Sequence, residues 1–339
     1  MRRIFFLVIL FLGIIIILFG FSELKGVLNT LRRQELRYLW IAVVVQLIWM
    51  LNDALEYRSL YRLMGIKDSL RKFILLASAA TCVNVVAPSG GWGGTAIFID
   101  NANKQEQPRG HAAAATALYL FLDYAAFLVL LSLGIIALFR RNRLNAGEIT
   151  ASALMVISVV ILGILIYIGS RSGDRLGAIL VWLSRRFNRM LWGIIKRDYF
   201  SEDRAQLFAM EVAEGLSITN ERHERLLVPA AHALIAKGLM IAIMALIFIE
   251  FKVDLSVGTL IASYTLAYLF LVMSPTPYGV GVVEGILPLL LAGLGIQLGD
   301  AVIITLAYRA ITFWLPFLLG GLSLRYLQRG EQTGRLENP

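Results

Sequence analysis

Three charged residues interrupt otherwise apolar stretches and are the first candidates for chemistry. Asp123 lies near the middle of residues 111–139, Arg309 within 300–327, and Glu284 within 282–296. Lys237 and His232 fall inside a fourth apolar stretch, 226–250. An arginine guanidinium presents a planar fork that fits phosphate or carboxylate bidentately. Arg309 therefore reads either as a ligand for a lipid phosphate or as the partner of Asp123 in an ion pair that fixes packing. Glu284 can pair with Lys237 or Arg309, or meet a cationic headgroup. His232 reads as a hydrogen-bonded packing histidine. Asn52, Asp53, Glu56 and Arg58 sit near a helix end, where pairing between residues four apart is the default.

Two clusters of helix-breaking residues accompany these charges. The first runs Pro88-Ser89-Gly90-Gly91-Trp92-Gly93-Gly94, with Asn84 just before it. The second runs Ser274-Pro275-Thr276-Pro277-Tyr278-Gly279-Val280-Gly281. Each ends one apolar stretch (73–87 and 255–273) and precedes a short return (95–99 and 282–296). Gly90–Gly94 and Gly281–Gly285 both have the GxxxG spacing that permits close helix approach. Backbone broken in this way frees N–H groups at helix starts, which attract anions.

Other chemistries have no motif to carry them. The sequence contains no GxxxxGK[ST] phosphate loop, no HExxH, no GxSxG and only one cysteine, Cys82. No catalytic residues, no metal ligands and no cofactor are expected.

The elements that must position these residues follow from composition. The chain has 339 residues, of which 58% are apolar and 16% charged. Soluble domains carry about 45–50% apolar and about 25% charged residues. A water-soluble fold, a disordered chain and a disulfide scaffold are therefore excluded. The net charge of +9 is concentrated beside apolar segments, as expected for contact with anionic headgroups rather than nucleic acid.

A hydrocarbon core about 30 Å thick needs roughly 20 residues of helix. Residues 4–21, 36–60, 111–139, 149–169, 226–250 and 300–327 meet that length, and 4–21 reads as a retained first helix. Residues 170–225 hold ten basic residues and no spanning segment. Within them Leu183, Phe187, Met190, Leu191 and Ile194 fall on one helical face beside Arg185, Arg186 and Arg189, the pattern of an interfacial helix. Ser201, ahead of Glu202 and Asp203, marks the start of a second helix. The expected class is all-α: one polytopic helix bundle over residues 1–339. Its parts are a first half (1–169), an interfacial linker (170–225), a second half (226–327) and a tail (328–339).

The halves share an outline of long helix, broken stretch, short return and long helix. Asp123 follows Gly94 by 29 residues, and Arg309 follows Gly281 by 28. If each broken stretch is a re-entrant hairpin, the halves are inverted repeats. Full spanning of 255–273 and 282–296, giving eight helices, is the alternative. Placing the basic linker and tail inside puts both termini in the cytoplasm under either topology. Paired broken segments point to a transport site at the membrane midplane.

These residues also carry a resemblance. Asn84 with residues 88–94, then residues 274–285, Tyr308-Arg309, Trp314, Pro316 and Gly320, resemble the flippase-like membrane region of bacterial lysylphosphatidylglycerol synthases (multiple peptide resistance factors) and its stand-alone relatives. The resemblance implies a multi-pass fold with paired re-entrant segments that moves lipid between leaflets. Full-length synthases continue into a soluble aminoacyl-transferase domain. This sequence ends at Pro339, so lysyl-lipid synthesis is not expected of it. Family members place an arginine soon after the first glycines. Here 95–99 holds none and Asp100 is the first charge, which leaves the headgroup preference open.

The combined expectation is a flippase of the cell membrane for a phosphate-headgroup lipid, either an aminoacyl-phospholipid or a polyprenyl-linked glycolipid. A non-transporting anchor or regulator of a lipid-modifying enzyme is the alternative. The expected site comprises Asn84, Pro88, Gly90, Gly91, Gly93, Gly94, Asp123, Lys237, Pro275, Pro277, Gly279, Gly281, Glu284 and Arg309. The expected partners are membrane lipid, further copies of the chain and a separate lipid-modifying enzyme.

Overall fold

The computed structural model describes residues 36–86, 92–105, 107–140, 146–195, 201–221, 223–253, 256–274 and 276–337. The expected helix over 4–21 lies outside them, as do Pro88, Gly90, Gly91 and Pro275. The described residues are helical throughout, with no strand. In chain order the helices are α1 (Arg37–Leu63), α2 (Leu70–Val86), α3 (Thr95–Lys104), α4 (Arg109–Arg140), α5 (Ala146–Arg171), α6 (Gly173–Ile195) and α7 (Glu202–Glu221). They continue as α8 (Leu227–Glu250), α9 (Val257–Met273), α10 (Val282–Gly293), α11 (Leu298–Arg309) and α12 (Leu315–Glu337). A π turn, Ala310–Trp314, joins α11 to α12.

Among the described residues, five helices are long and apolar enough to cross a membrane: Arg37–Leu63, Arg109–Arg140, Ala146–Arg171, Glu224–Glu250 and Leu298–Arg329. Their outward faces stay apolar. On α5, Val156, Ile157, Val160, Ile161 and Ile164 are all about half exposed. In water such a face would be a liability; against lipid it is the expected surface. The chain is a multi-pass integral membrane protein. α2 and α9 have 17 residues each and α10 has 12, so none comfortably spans the hydrocarbon.

Two of the packed cores share α1, one along its second half and one along its first. One gathers Leu60 and Tyr61 of α1, Phe73 of α2, Phe98 of α3, Ala112 and Ala115 of α4 and Leu216 of α7. The other gathers Ala42 of α1, Ile243 and Phe248 of α8, Val283 and Leu287 of α10 and Ile304 of α11. The linker is built into the first of these. Gly110 at the start of α4 lies so close to the α7 backbone at Glu211 that any side chain there would collide with it. The tail helix is equally tied in. Gly320 of α12 packs against Ser78 and Cys82 of α2, and the Arg71 guanidinium donates to the Tyr326 hydroxyl.

The cluster at residues 52–58 departs from expectation. In place of local pairing, Asn52 and Asp53 have tertiary partners, while Glu56 Oε1 and Arg58 Nε are buried without a hydrogen-bond partner. The Asn52 amide donates to the His232 carbonyl at 2.9 Å, and the His232 ring meets Asn52 Oδ1 at 2.7 Å. His232 is thus a bonded packing histidine, as expected.

Candidate functional site

Between the two cores lies a polar cavity of about 120 Å³. α1 contributes Trp49, Asp53 and Tyr57, α4 contributes Tyr119, Asp123 and Tyr124, and α8 contributes Lys237 and Met240. The helix before the first break and the turn at the second both reach it. Asn84 arrives at the end of α2, while Ser274, Thr276 and Tyr278 come from the turn after α9. Tyr264 and Tyr268 of α9, with Tyr308 and Thr312 of the last long helix, complete the wall.

The charges inside it are arranged by helical spacing. Asp53 and Tyr57 are four residues apart, as are Tyr119 and Asp123, and Tyr264 and Tyr268, so each pair shares a helix face. Lys237 Nζ donates to Asp123 Oδ1 at 2.6 Å, and the Tyr268 hydroxyl donates to Asp123 Oδ2 at 2.5 Å. The lysine ammonium also lies 4.2 Å from the Tyr268 ring centroid, a cation–π contact. Asp53 accepts from the Tyr119 hydroxyl at 2.5 Å. Tyr57 stacks between Phe98 and Tyr119, which anchors the short helix α3 to the cavity wall. The Tyr264 hydroxyl is fully buried and has no hydrogen-bond partner.

The second charged group lies beside the cavity rather than in it. Arg309 Nε donates to Glu284 Oε1 at 2.6 Å, and Nη2 donates to the Tyr278 carbonyl at 3.3 Å. The guanidinium carbon sits 4.2 Å from the Phe313 ring centroid. Glu284 Oε2 accepts from the Gly281 N–H at 2.8 Å and so caps the start of α10. Tyr278 holds φ 50°, the left-handed region that a non-glycine residue rarely adopts. Gly279 and Gly281 have positive φ on either side of Val280, where glycine carries no such strain. Arg309 is therefore the clamp that holds this contorted turn.

One expected pairing is replaced by this geometry. Asp123 and Arg309 do not pair: α8 runs beside α4 and supplies Lys237 to Asp123, while Arg309 takes the other carboxylate expectation offered it, Glu284. The Arg309 side chain is 2% exposed and bonded within the turn, and its Nη1 is buried without a hydrogen-bond partner. Two backbone N–H groups at the breaks are already held. The Gly281 N–H is held by Glu284, and the Gly94 N–H donates to Asn84 Oδ1 at 2.6 Å.

Of the expected site residues, Asn84, Asp123 and Lys237 line the cavity. Pro277, Gly279 and Gly281 shape the second turn; Gly93 and Gly94 shape the first. Asp53 and the tyrosines were not anticipated. Seven of the chain's twelve tyrosines line this one cavity, and their spacing on apolar helices was the available signal. A tyrosine buried inside a membrane span usually finds a hydrogen-bond partner for its hydroxyl.

Outside the bundle centre, Arg185 of α6 and Glu202 of α7 form an exposed bidentate pair at 2.8 and 2.6 Å. The hydrogen bonds from Arg185 hold the Glu202 carboxyl below its usual range, and Glu202 in turn raises Arg185.

Comparison with known proteins gives a consistent result. Residues 4–320 match the family described as Lysylphosphatidylglycerol synthase TM region. The chain is 22% identical over 319 residues to a UPF0104 membrane protein of Methanothermobacter thermautotrophicus, covering 93% of this chain and 92% of that one. It is 23% identical over 325 residues to a UPF0104 membrane protein of Pyrococcus horikoshii, covering 93% and 95%. A third UPF0104 membrane protein, from Methanocaldococcus jannaschii, is 22% identical over 325 residues, with 95% and 94% covered.

Proposed function

Because the chain belongs to the family of lysylphosphatidylglycerol synthase TM regions, we propose that it is a lipid flippase of the cell membrane. It would carry the polar headgroup of a phosphate-bearing lipid between leaflets without catalysing a covalent step. The observation that carries this reading is the polar cavity where the two broken stretches meet. Asp53, Asp123 and Lys237 line it within apolar, membrane-spanning helices, where each charge is costly unless a cavity or partner receives it. In this reading α2–α3 and α9–α10 are re-entrant hairpins in inverted halves, and both termini face the cytoplasm.

Two carboxylates, one amine and several tyrosine faces favour a headgroup with a cationic end. An ammonium can meet Asp53, which has no cation within ion-pair distance among the described residues, beside the tyrosine rings of the same cavity. Among the two lipid classes expected, this favours an aminoacyl-phospholipid over a polyprenyl-linked glycolipid. A separate lipid-modifying enzyme would supply that lipid. The non-transporting anchor is less favoured, because a solid core with an Asp123–Arg309 pair would suit it and neither is present.

The test is leaflet exchange of fluorescent lipids in liposomes containing the full chain. Exchange of a labelled aminoacyl-phosphatidylglycerol should exceed that in protein-free liposomes, and Asp123→Asn should reduce it about tenfold, the equivalent of about 1.4 kcal/mol. Equal exchange with and without protein, for aminoacylated and glycosylated lipids alike, would sink the proposal.

A further inference from the structure

The cavity holds an imbalance that the ion pairs do not resolve. Asp123 is matched by Lys237 at 2.6 Å. Asp53, 6% exposed, has the Tyr119 hydroxyl as its partner and no cation within ion-pair distance among the described residues. Glu56, three residues along the same helix and 1% exposed, has a buried Oε1 with no partner. The titratable groups facing Asp53 are thus Glu56 and Tyr57 from α1, Tyr119 and Asp123 from α4, Lys237 from α8 and Tyr278 from the turn after α9. α9 adds the hydroxyls of Tyr264 and Tyr268 and no charge. Three carboxylates share one amine inside apolar helices. Isolated charge in that medium is neutralised by proton uptake rather than tolerated.

A second observation marks the cavity as a place that receives a ligand. The Tyr264 hydroxyl lines it, is fully buried and lacks a partner. An unmet buried hydroxyl is costly unless something that is bound part of the time completes it.

We propose that Asp53 carries a proton when the cavity is empty and surrenders it when a cationic headgroup enters, so that lipid movement is coupled to proton exchange. The inference rests on the flippase reading and specifies its energetics. The step balances. A protonated Asp53 and an incoming alkylammonium become an aspartate–ammonium pair, and one proton leaves to water on the side from which the lipid entered. On release at the opposite leaflet, Asp53 takes a proton from that side. The cavity's charge is the same before and after, which spares the empty return an unpaired carboxylate in hydrocarbon.

One-for-one exchange sets a magnitude. Each unit of pH difference across the membrane should concentrate a labelled lysyl-phosphatidylglycerol up to about tenfold in the leaflet facing the more acidic side. The experiment uses the full chain in sealed liposomes with an internal pH dye, with and without an imposed gradient. The expected result is biased lipid distribution with proton counterflow in wild type. Asp53→Glu keeps the bias. Asp53→Asn brings the ratio of exchange with and without the gradient to one, whatever its absolute rate. Lipid exchange in wild type that ignores the gradient overturns the proton inference and leaves the flippase reading standing. No exchange under any condition overturns both. The wild-type measurement decides the matter even if Asp53→Asn fails to fold.

Discussion

Two acid–base pairs among the described residues lie inside apolar helices and are used differently. Lys237–Asp123 borders a cavity, with the carboxylate 13% exposed and the Tyr268 hydroxyl as a further partner. Arg309–Glu284 lies against a turn: the guanidinium is 2% exposed, lies against Phe313 and bonds a turn carbonyl, while Glu284 keeps 31% of its side-chain surface. Charge in a membrane span is therefore not one signal. A pair that faces space can exchange partners with a ligand, and a pair that faces backbone can only hold it in place.

The sharpest way to break this contrast is Arg309→Ala. It leaves Glu284 without its cation and frees the strained turn at Tyr278. Removing one member of a buried pair costs about 3–5 kcal/mol. Because Glu284 keeps 31% of its side-chain surface, the lower end, about 3 kcal/mol, is expected in thermal unfolding in detergent. Lys237→Met leaves a carboxylate only 13% exposed without its cation, so its stability loss should be at least as large, about 3–5 kcal/mol. What separates the two variants is lipid exchange in liposomes, which should fall about tenfold for Lys237→Met. Equal effects of the two variants on lipid exchange would erase the distinction between clamp and cavity.

A finer test is Tyr264→Phe. Deleting a hydroxyl with no partner should leave the melting temperature unchanged or raise stability by up to about 1 kcal/mol. If that hydroxyl serves the ligand, exchange should fall about threefold or more. The smallest effect belongs to the exposed Arg185–Glu202 pair. Its carboxyl is held below the ordinary range, so its contribution is present above the usual carboxylate titration and fades as pH falls through the lowered value. Glu202→Gln should differ slightly from wild type at neutral pH, and the two melting curves should converge in acid. A difference that persists in strong acid would mean that Glu202 acts by packing rather than charge.

The fold was largely legible because hydrocarbon leaves a helix few alternatives. The stretches read as 111–139, 149–169 and 226–250 emerge as Arg109–Arg140, Ala146–Arg171 and Leu227–Glu250. The site was legible in parts. Asp123 and Lys237 stood out as charges in apolar stretches, but their pairing depends on which helix lies beside α4, which spacing along one chain does not encode. Asp53 was read as locally paired because residues 52–58 look like a polar helix end, and only the packing of α1 against α4 brings Tyr119 to it. Arg309 was read either as a phosphate ligand or as the partner of Asp123, because a buried ion pair and a bound phosphate leave the same mark in sequence. The left-handed Tyr278 that it secures is visible only in three dimensions.

The contact between α2 and α12 has a consequence for how the protein is made. Arg71 and Tyr326 are 255 residues apart, and Gly320 seats directly on Ser78 and Cys82. A ribosome adding about 5–20 residues per second delivers the second surface on the order of tens of seconds after the first. During that interval the short helix α2, too brief to span the bilayer, waits in the membrane without the neighbour that covers it. α2 therefore keeps one face uncovered, with α1 against the other, until the last helix emerges.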